Sequence, residues 1–70
     1  MTKYNLTEKQ KAIFDLIVEM EKMNGVTPTQ KQLSENFGIA QATIAKHLAA
    51  IERRGWIQRA RGLKNGLSVL

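Results

Sequence analysis

An α+β fold, three helices followed by a β-hairpin, is predicted by three features of the 70-residue sequence. The pattern Thr-x-x-Gln occurs at Thr7–Gln10 and again at Thr29–Gln32, each time opening a run of helical apolar spacing, and a third such run begins near Gln41. Each run ends at a glycine: Gly25 after Asn24, then Gly38, then Gly55. Glycine is the residue that most readily takes the left-handed conformation beyond a helix C-terminus. After Gly55 the helical period stops, and an Asn65-Gly66 turn signal separates two short apolar segments.

Seventy residues, 1–70, predict one small domain, which buries only about 60% of the surface its unfolded chain exposes. Without cysteine, neither a disulfide nor a thiolate metal site can reinforce that core. Packing alone must hold it, and the lack of cysteine fits a reducing cytoplasm. No stretch approaches the roughly 18 apolar residues of a membrane span, so a soluble, cytoplasmic chain is expected.

The first helix follows the Thr7 cap. Ile13, Phe14, Leu16, Ile17, Met20 and Met23 fall on one arc, and Glu8, Lys11, Asp15, Glu19 and Lys22 cover the other with mixed signs. This predicts a scaffold helix with a solvated back, Met20 and Met23 serving as gap-filling core. Val26-Thr27-Pro28 reads as a brief strand or extended linker that pairs with the later hairpin, because proline biases the residue before it toward extended backbone. Leu33 and Phe37 anchor a second helix of barely two turns, and Ile39 reads as an apolar plug behind the Gly38 turn.

The third helix is read from Gln41 to Arg54. Ile44, Leu48 and Ile51 form its apolar stripe, while Ala42, Lys46, Ala49 and Arg53 project from the opposite side without a carboxylate among them. Residues 56–60 and 66–70 then read as two strands, with Arg61, Gly62 and Lys64 between them giving a hairpin with a basic tip. Trp56 is read as a core or hairpin-packing residue, a base-stacking role being the alternative.

Charge is distributed unevenly along this framework. The formal net charge is +5. In residues 1–28, Lys3, Lys9, Lys11 and Lys22 cancel Glu8, Asp15, Glu19 and Glu21, and Lys31 then cancels Glu35. The whole excess lies in 41–70, where six cations face only Glu52. A smooth cationic helix face followed by a cationic hairpin is the electrostatic footprint of a polyanion binder, with double-stranded nucleic acid the first candidate. Catalysis finds no support: Asp15 is the only aspartate, no serine is paired with the single histidine by a recognisable spacing, and no glycine-rich loop precedes a helix. The chain is expected not to be an enzyme.

The stretch GIAQATIAKHLAAIERRGWI resembles the winged helix-turn-helix pattern of glycine, an apolar residue, Thr-Ile, then His-Leu, and a basic-Gly exit. Across nearly its full length the chain is similar to the N-terminal DNA-binding domain of the LexA repressor family. The matching segments are Leu6-Thr7, Phe14-Asp15-Leu16-Ile17, Pro28-Thr29, His47-Leu48, and the hairpin from Gly55 through Gly62 and Gly66 to Leu70. The resemblance implies a winged helix-turn-helix fold and a sequence-specific transcriptional regulator, a bacterial or phage repressor occupying a promoter operator. Two departures limit it. The segment after Gly38 is one residue shorter than in that family and lacks its Ser-Pro start, so the base-reading side chains do not carry over. Self-cleavage, the property of a further domain in that family, is not inferred.

In a helix-turn-helix the first turns of the second helix enter the major groove, which selects Gln41, Ala42, Thr43, Lys46 and His47. Gln41 suits bidentate bonding to adenine, Ala42 or Thr43 can pack on a thymine methyl, and Lys46 can reach guanine or phosphate. The plainer alternatives are a solvated Gln41, a Thr43 that bonds back to its own helix, and a His47 that packs at the helix edge. Arg53 is assigned to phosphate and Arg54 to the helix end. Arg59, Arg61 and Lys64 are assigned to a wing lying along the backbone or in the minor groove, against the alternative of solubilising charge. No metal, cofactor or small-molecule ligand is expected. A homodimer on an inverted repeat is expected because one module makes few base contacts. A module docking an acidic partner protein, or an accessory factor in replication or excision, are the other readings.

Overall fold

The computed structural model describes residues 4–60 and 66–70. Three helices, α1 (Glu8–Asn24), α2 (Gln30–Phe37) and α3 (Gln41–Arg53), precede two strands, β1 (Ile57–Arg59) and β2 (Leu67–Val69). This is the winged helix-turn-helix order: α2, the turn at Gly38 and α3 form the helix pair, and β1 with β2 forms the wing.

Both expected capping boxes are present. The Thr7 hydroxyl accepts from the Gln10 amide at 3.2 Å while the Gln10 side chain accepts from the Thr7 amide at 3.0 Å. Thr29 and Gln32 repeat this at 3.1 and 2.8 Å. Each box satisfies two of the amides that a helix start leaves without partners. Gly25 and Gly38 take the left-handed conformation, with φ of 77° and 66°. At Gly38 this reversal, with the Ile39 amide donating to Ser34 and the Ser34 hydroxyl to Ile39, sends the chain from α2 into α3. The third helix ends one residue earlier than expected, with Arg54 as its C-cap and Gly55 at φ 88° beyond it.

The core sits where all the elements meet. Ile13 and Ile17 of α1, Leu33 of α2, Ile44, Leu48 and Ile51 of α3, and Ile57 and Leu67 of the wing are all buried. Each contributes about 1.5–3 kcal/mol by leaving water, before the entropy of ordering is set against it. Trp56 packs edge-on against Phe14 with centroids 5.3 Å apart, and its indole nitrogen donates to the Tyr4 carbonyl. The core reading of Trp56 therefore holds.

Two expectations are corrected. Met23 is 74% exposed and Met20 only half-buried. The buried stripe of α1 is Gln10, Ile13 and Ile17. At 100° per residue Met23 stands about 110° around the helix from that stripe, too far to fill the core. Of the two readings of 26–28, the strand does not form and the linker stands, joined to the hairpin as expected. Pro28 is buried without a donor to offer a ladder, and the Thr27 hydroxyl donates to the Leu67 carbonyl of the hairpin at 3.1 Å.

The wing is antiparallel, with Ile57 opposite Val69, Gln58 opposite Ser68, and Arg59 opposite Leu67. One further hydrogen bond continues the pairing on each side, Leu70 to Trp56 and Ala60 to Gly66. The strands are thus three residues each, inside the five expected.

Candidate nucleic-acid interface

The stripe of Ile44, Leu48 and Ile51 docks α3 on the core and so decides which residues the helix presents outward. Ala42, Lys46 and Arg53 are exposed and Ala49 half-buried. At 100° per residue these four cluster about 160° from the mean direction of the buried stripe, the far side of the helix. Thr43 is exposed on one flank of this face, about 90° from its centre. Gln41 is exposed as well, but lies about 100° around from Ala42, so it projects from the helix start and not from the centre of this face. His47 is half-buried at the helix edge next to Leu48. Ala40 caps α3 without a side-chain hydrogen bond, leaving the first turn open.

The two adjacent arginines differ in environment. Arg53 is exposed, and its guanidinium makes no hydrogen bond or ion pair with another described residue. Arg54 is half-buried and donates from Nη1 to the Asn5 carbonyl at 2.7 Å, while its own carbonyl accepts from the Tyr4 amide. These bonds strap the N-terminal segment across the end of α3.

Arg59 is drawn back toward the body of the protein. Its amide donates to one oxygen of Glu52 at 2.9 Å and its Nε to the other at 3.1 Å. The Arg59 amide, above all, holds the Glu52 carboxyl below the usual glutamate range; partial burial opposes this, and the guanidinium adds to it by hydrogen bonding and charge. The one acid of the basic half is thereby matched to a cation. A cleft lined by Gln30, Glu52, Arg59 and Gly66 runs between α3 and the wing. Arg61 and Lys64, the other wing residues assigned from the sequence, lie outside the described residues.

Sequence reasoning missed Glu52 and Thr27 as parts of this architecture. Glu52 stood out only as a lone acid, and a threonine before proline carries no signal for a bond to a carbonyl forty residues away. Among the described residues no group of three or more His, Cys, Asp or Glu side chains is placed to hold a metal ion. No described helix is long and apolar enough to cross a membrane.

Comparison with known proteins agrees with this geometry. The model of the LexA DNA binding domain matches residues 3–64. The LexA repressor of Desulfatibacillum aliphaticivorans is 36% identical over 67 residues, covering 94% of this chain and 33% of the relative. That of Opitutus terrae is 37% identical over 65 residues, 91% of this chain and 32% of the relative. The chain therefore spans about a third of the length of the curated relatives it matches. With three helices, a wing and a family match that runs through all of them but the last strand, the chain belongs to the LexA DNA-binding domain family.

Proposed function

We propose that this chain binds double-stranded DNA sequence-specifically as the operator-reading part of a cytoplasmic transcriptional repressor. The observation that carries the reading is the outward face of α3, where Ala42, Lys46 and Arg53 stand exposed, with Thr43 exposed at its flank, on the helix that follows the helix-turn-helix bend. Small side chains let the helix approach base edges closely, and flanking cations meet phosphates on either side. Gln41 at the helix start and His47 at its edge extend the contact, and the wing, held at Arg59 and carrying Arg61 and Lys64 in its sequence, forms the second arm. Two copies on an inverted repeat supply the contacts that one module lacks.

The test is selection of bound duplexes from a random library, followed by titration of the selected duplex over a range of salt. Affinity should fall steeply with salt, and Lys46→Ala should weaken binding across sequences. Gln41→Ala should change which duplexes are selected more than it changes overall affinity. A parent protein that selects no duplex, or a Lys46→Ala variant of parental affinity at every salt concentration, overturns the assignment.

A further inference from the structure

Besides the burial of Ile57 and Leu67 in the core, two hydrogen-bonding side chains of the helical body meet the wing at the same rung. Arg59 and Leu67 face each other across the hairpin, in the pair nearest the segment that connects the strands. From one side the Glu52 carboxylate, on the last turn of α3, takes both the backbone amide and the Nε of Arg59. From the other side the buried hydroxyl of Thr27, in the link between α1 and α2, donates to the carbonyl of Leu67. Nothing in hairpin chemistry requires this. The strands pair through their own backbone, and a two-stranded hairpin by itself is only marginally stable, so its orientation depends on what else holds it. Both anchors are directional hydrogen bonds to backbone groups, so they add a set direction to the burial of Ile57 and Leu67 that holds the strands against the core.

We infer that Glu52 is a positioning residue for duplex binding, holding the wing at a set angle to α3 so that both arms meet one duplex. This rests on the DNA-binding reading above. It also accounts for an acid in a half of the chain that is otherwise cationic. Lying between two surfaces meant for phosphate, a carboxylate should repel the ligand, and plain electrostatics predicts that removing it tightens binding. Positioning predicts the opposite sign. Arg59 in this arrangement serves as the handle by which the wing is held, and the remaining wing cations meet the phosphates.

The test compares Glu52→Ala with Glu52→Gln, using the 70-residue chain and the duplex that the parent selects from a random library. Both variants remove the same charge, but only glutamine keeps an oxygen for the Arg59 amide. Glu52→Ala should bind roughly three- to tenfold more weakly, with a slope of log affinity against log salt shallower by about one, and Glu52→Gln should lie between it and the parent. Thr27→Val changes no charge, loosens the same rung from its other side, and should also flatten the slope. Thermal melts followed by circular dichroism establish that each variant is folded at the assay temperature; should Glu52→Ala melt too low, the other two variants decide. Equal tightening by both Glu52 variants, or a steeper slope in Glu52→Gln with Thr27→Val unchanged, overturns the positioning role while leaving the DNA-binding reading intact. A parent that binds no duplex overturns both.

Discussion

Arg53 and Arg54 are neighbours of equal charge, and exchanging either for alanine removes one positive charge from the same end of α3. Their surroundings predict different losses. The Arg53 guanidinium is exposed and bonded to no described residue, whereas that of Arg54 is held by the Asn5 carbonyl. If Arg53 meets a phosphate, its loss removes about 0.9 from the slope of log affinity against log salt. Between 50 and 200 mM salt, a fourfold change, that slope difference amounts to a factor of about 3.5 in how far binding declines. Its effect on folding should stay within about 0.5 kcal/mol, as for other surface positions without partners.

Arg54→Ala should do the reverse. The bond to Asn5, itself open to solvent, contributes about 0.5–1.5 kcal/mol, and a domain of this size loses about 4–8 °C of melting temperature per kcal/mol. The salt slope should not move. Fluorescence anisotropy titrations at four salt concentrations, beside thermal melts followed by circular dichroism, measure both quantities on the same samples. Equal flattening of the slope by the two substitutions would refute the reasoning, because it would mean that net charge, and not the placement of each guanidinium, governs binding.

Three further outcomes follow from the same packing. Leu48→Ala, at a site 1% exposed, should cost about 2–5 kcal/mol out of the roughly 3.5–10 kcal/mol available to a 70-residue domain, and urea melts that leave stability unchanged would show that α3 is docked by another face. Gly38→Ala meets no atom within 4 Å of the added Cβ, so its cost should be that of the left-handed backbone alone, about 1–2 kcal/mol; denaturant unfolding should show Gly38→Asn to be milder, and a loss above 4 kcal/mol would point to crowding instead. Because the folded-state pKa of Glu52 is depressed, its contribution is full above the unfolded value of about 4.3 and is lost as pH falls through the lower folded value. Melting temperatures of the parent and Glu52→Gln should therefore converge on acidification below about pH 4, and a gap that stays constant would contradict the pairing with Arg59.

The helices were legible because their signals are local. Thr7 with Gln10 and Thr29 with Gln32 carry both halves of a reciprocal hydrogen-bond pattern within four residues, and Gly25 and Gly38 mark the left-handed exits that the backbone takes. Periodicity also selected Ile44, Leu48 and Ile51 correctly, since one helix buries one stripe. It failed at Met23, where an apolar residue near the edge of the arc was counted as if it lay at its centre. Which atoms join distant segments left no such mark, although the extended 26–28 segment does point to the hairpin. The Thr27 hydroxyl meets Leu67 forty residues on, and Trp56 finds the Tyr4 carbonyl fifty-two residues back. A polar side chain in the sequence shows that a bond must be made, but not with what.

The charge of residues 41–70 shows why the candidate interface was harder to read than the fold. Summing the sequence treats every cation as available to a ligand. The folded chain sorts them: Arg59 is matched to Glu52 and Arg54 to the Asn5 carbonyl, while Lys46 and Arg53 remain exposed on one face of α3. The net charge of the segment is unchanged by this sorting, so the long-range attraction of a polyanion survives and continues to steer encounter. Close contact depends instead on where each charge is held, because phosphate contacts set register only when their donors are fixed relative to one another. Arg54 and Arg59 therefore matter to binding through the N-terminal segment and the wing that they hold in place, and Lys46 and Arg53 through the phosphates that they reach.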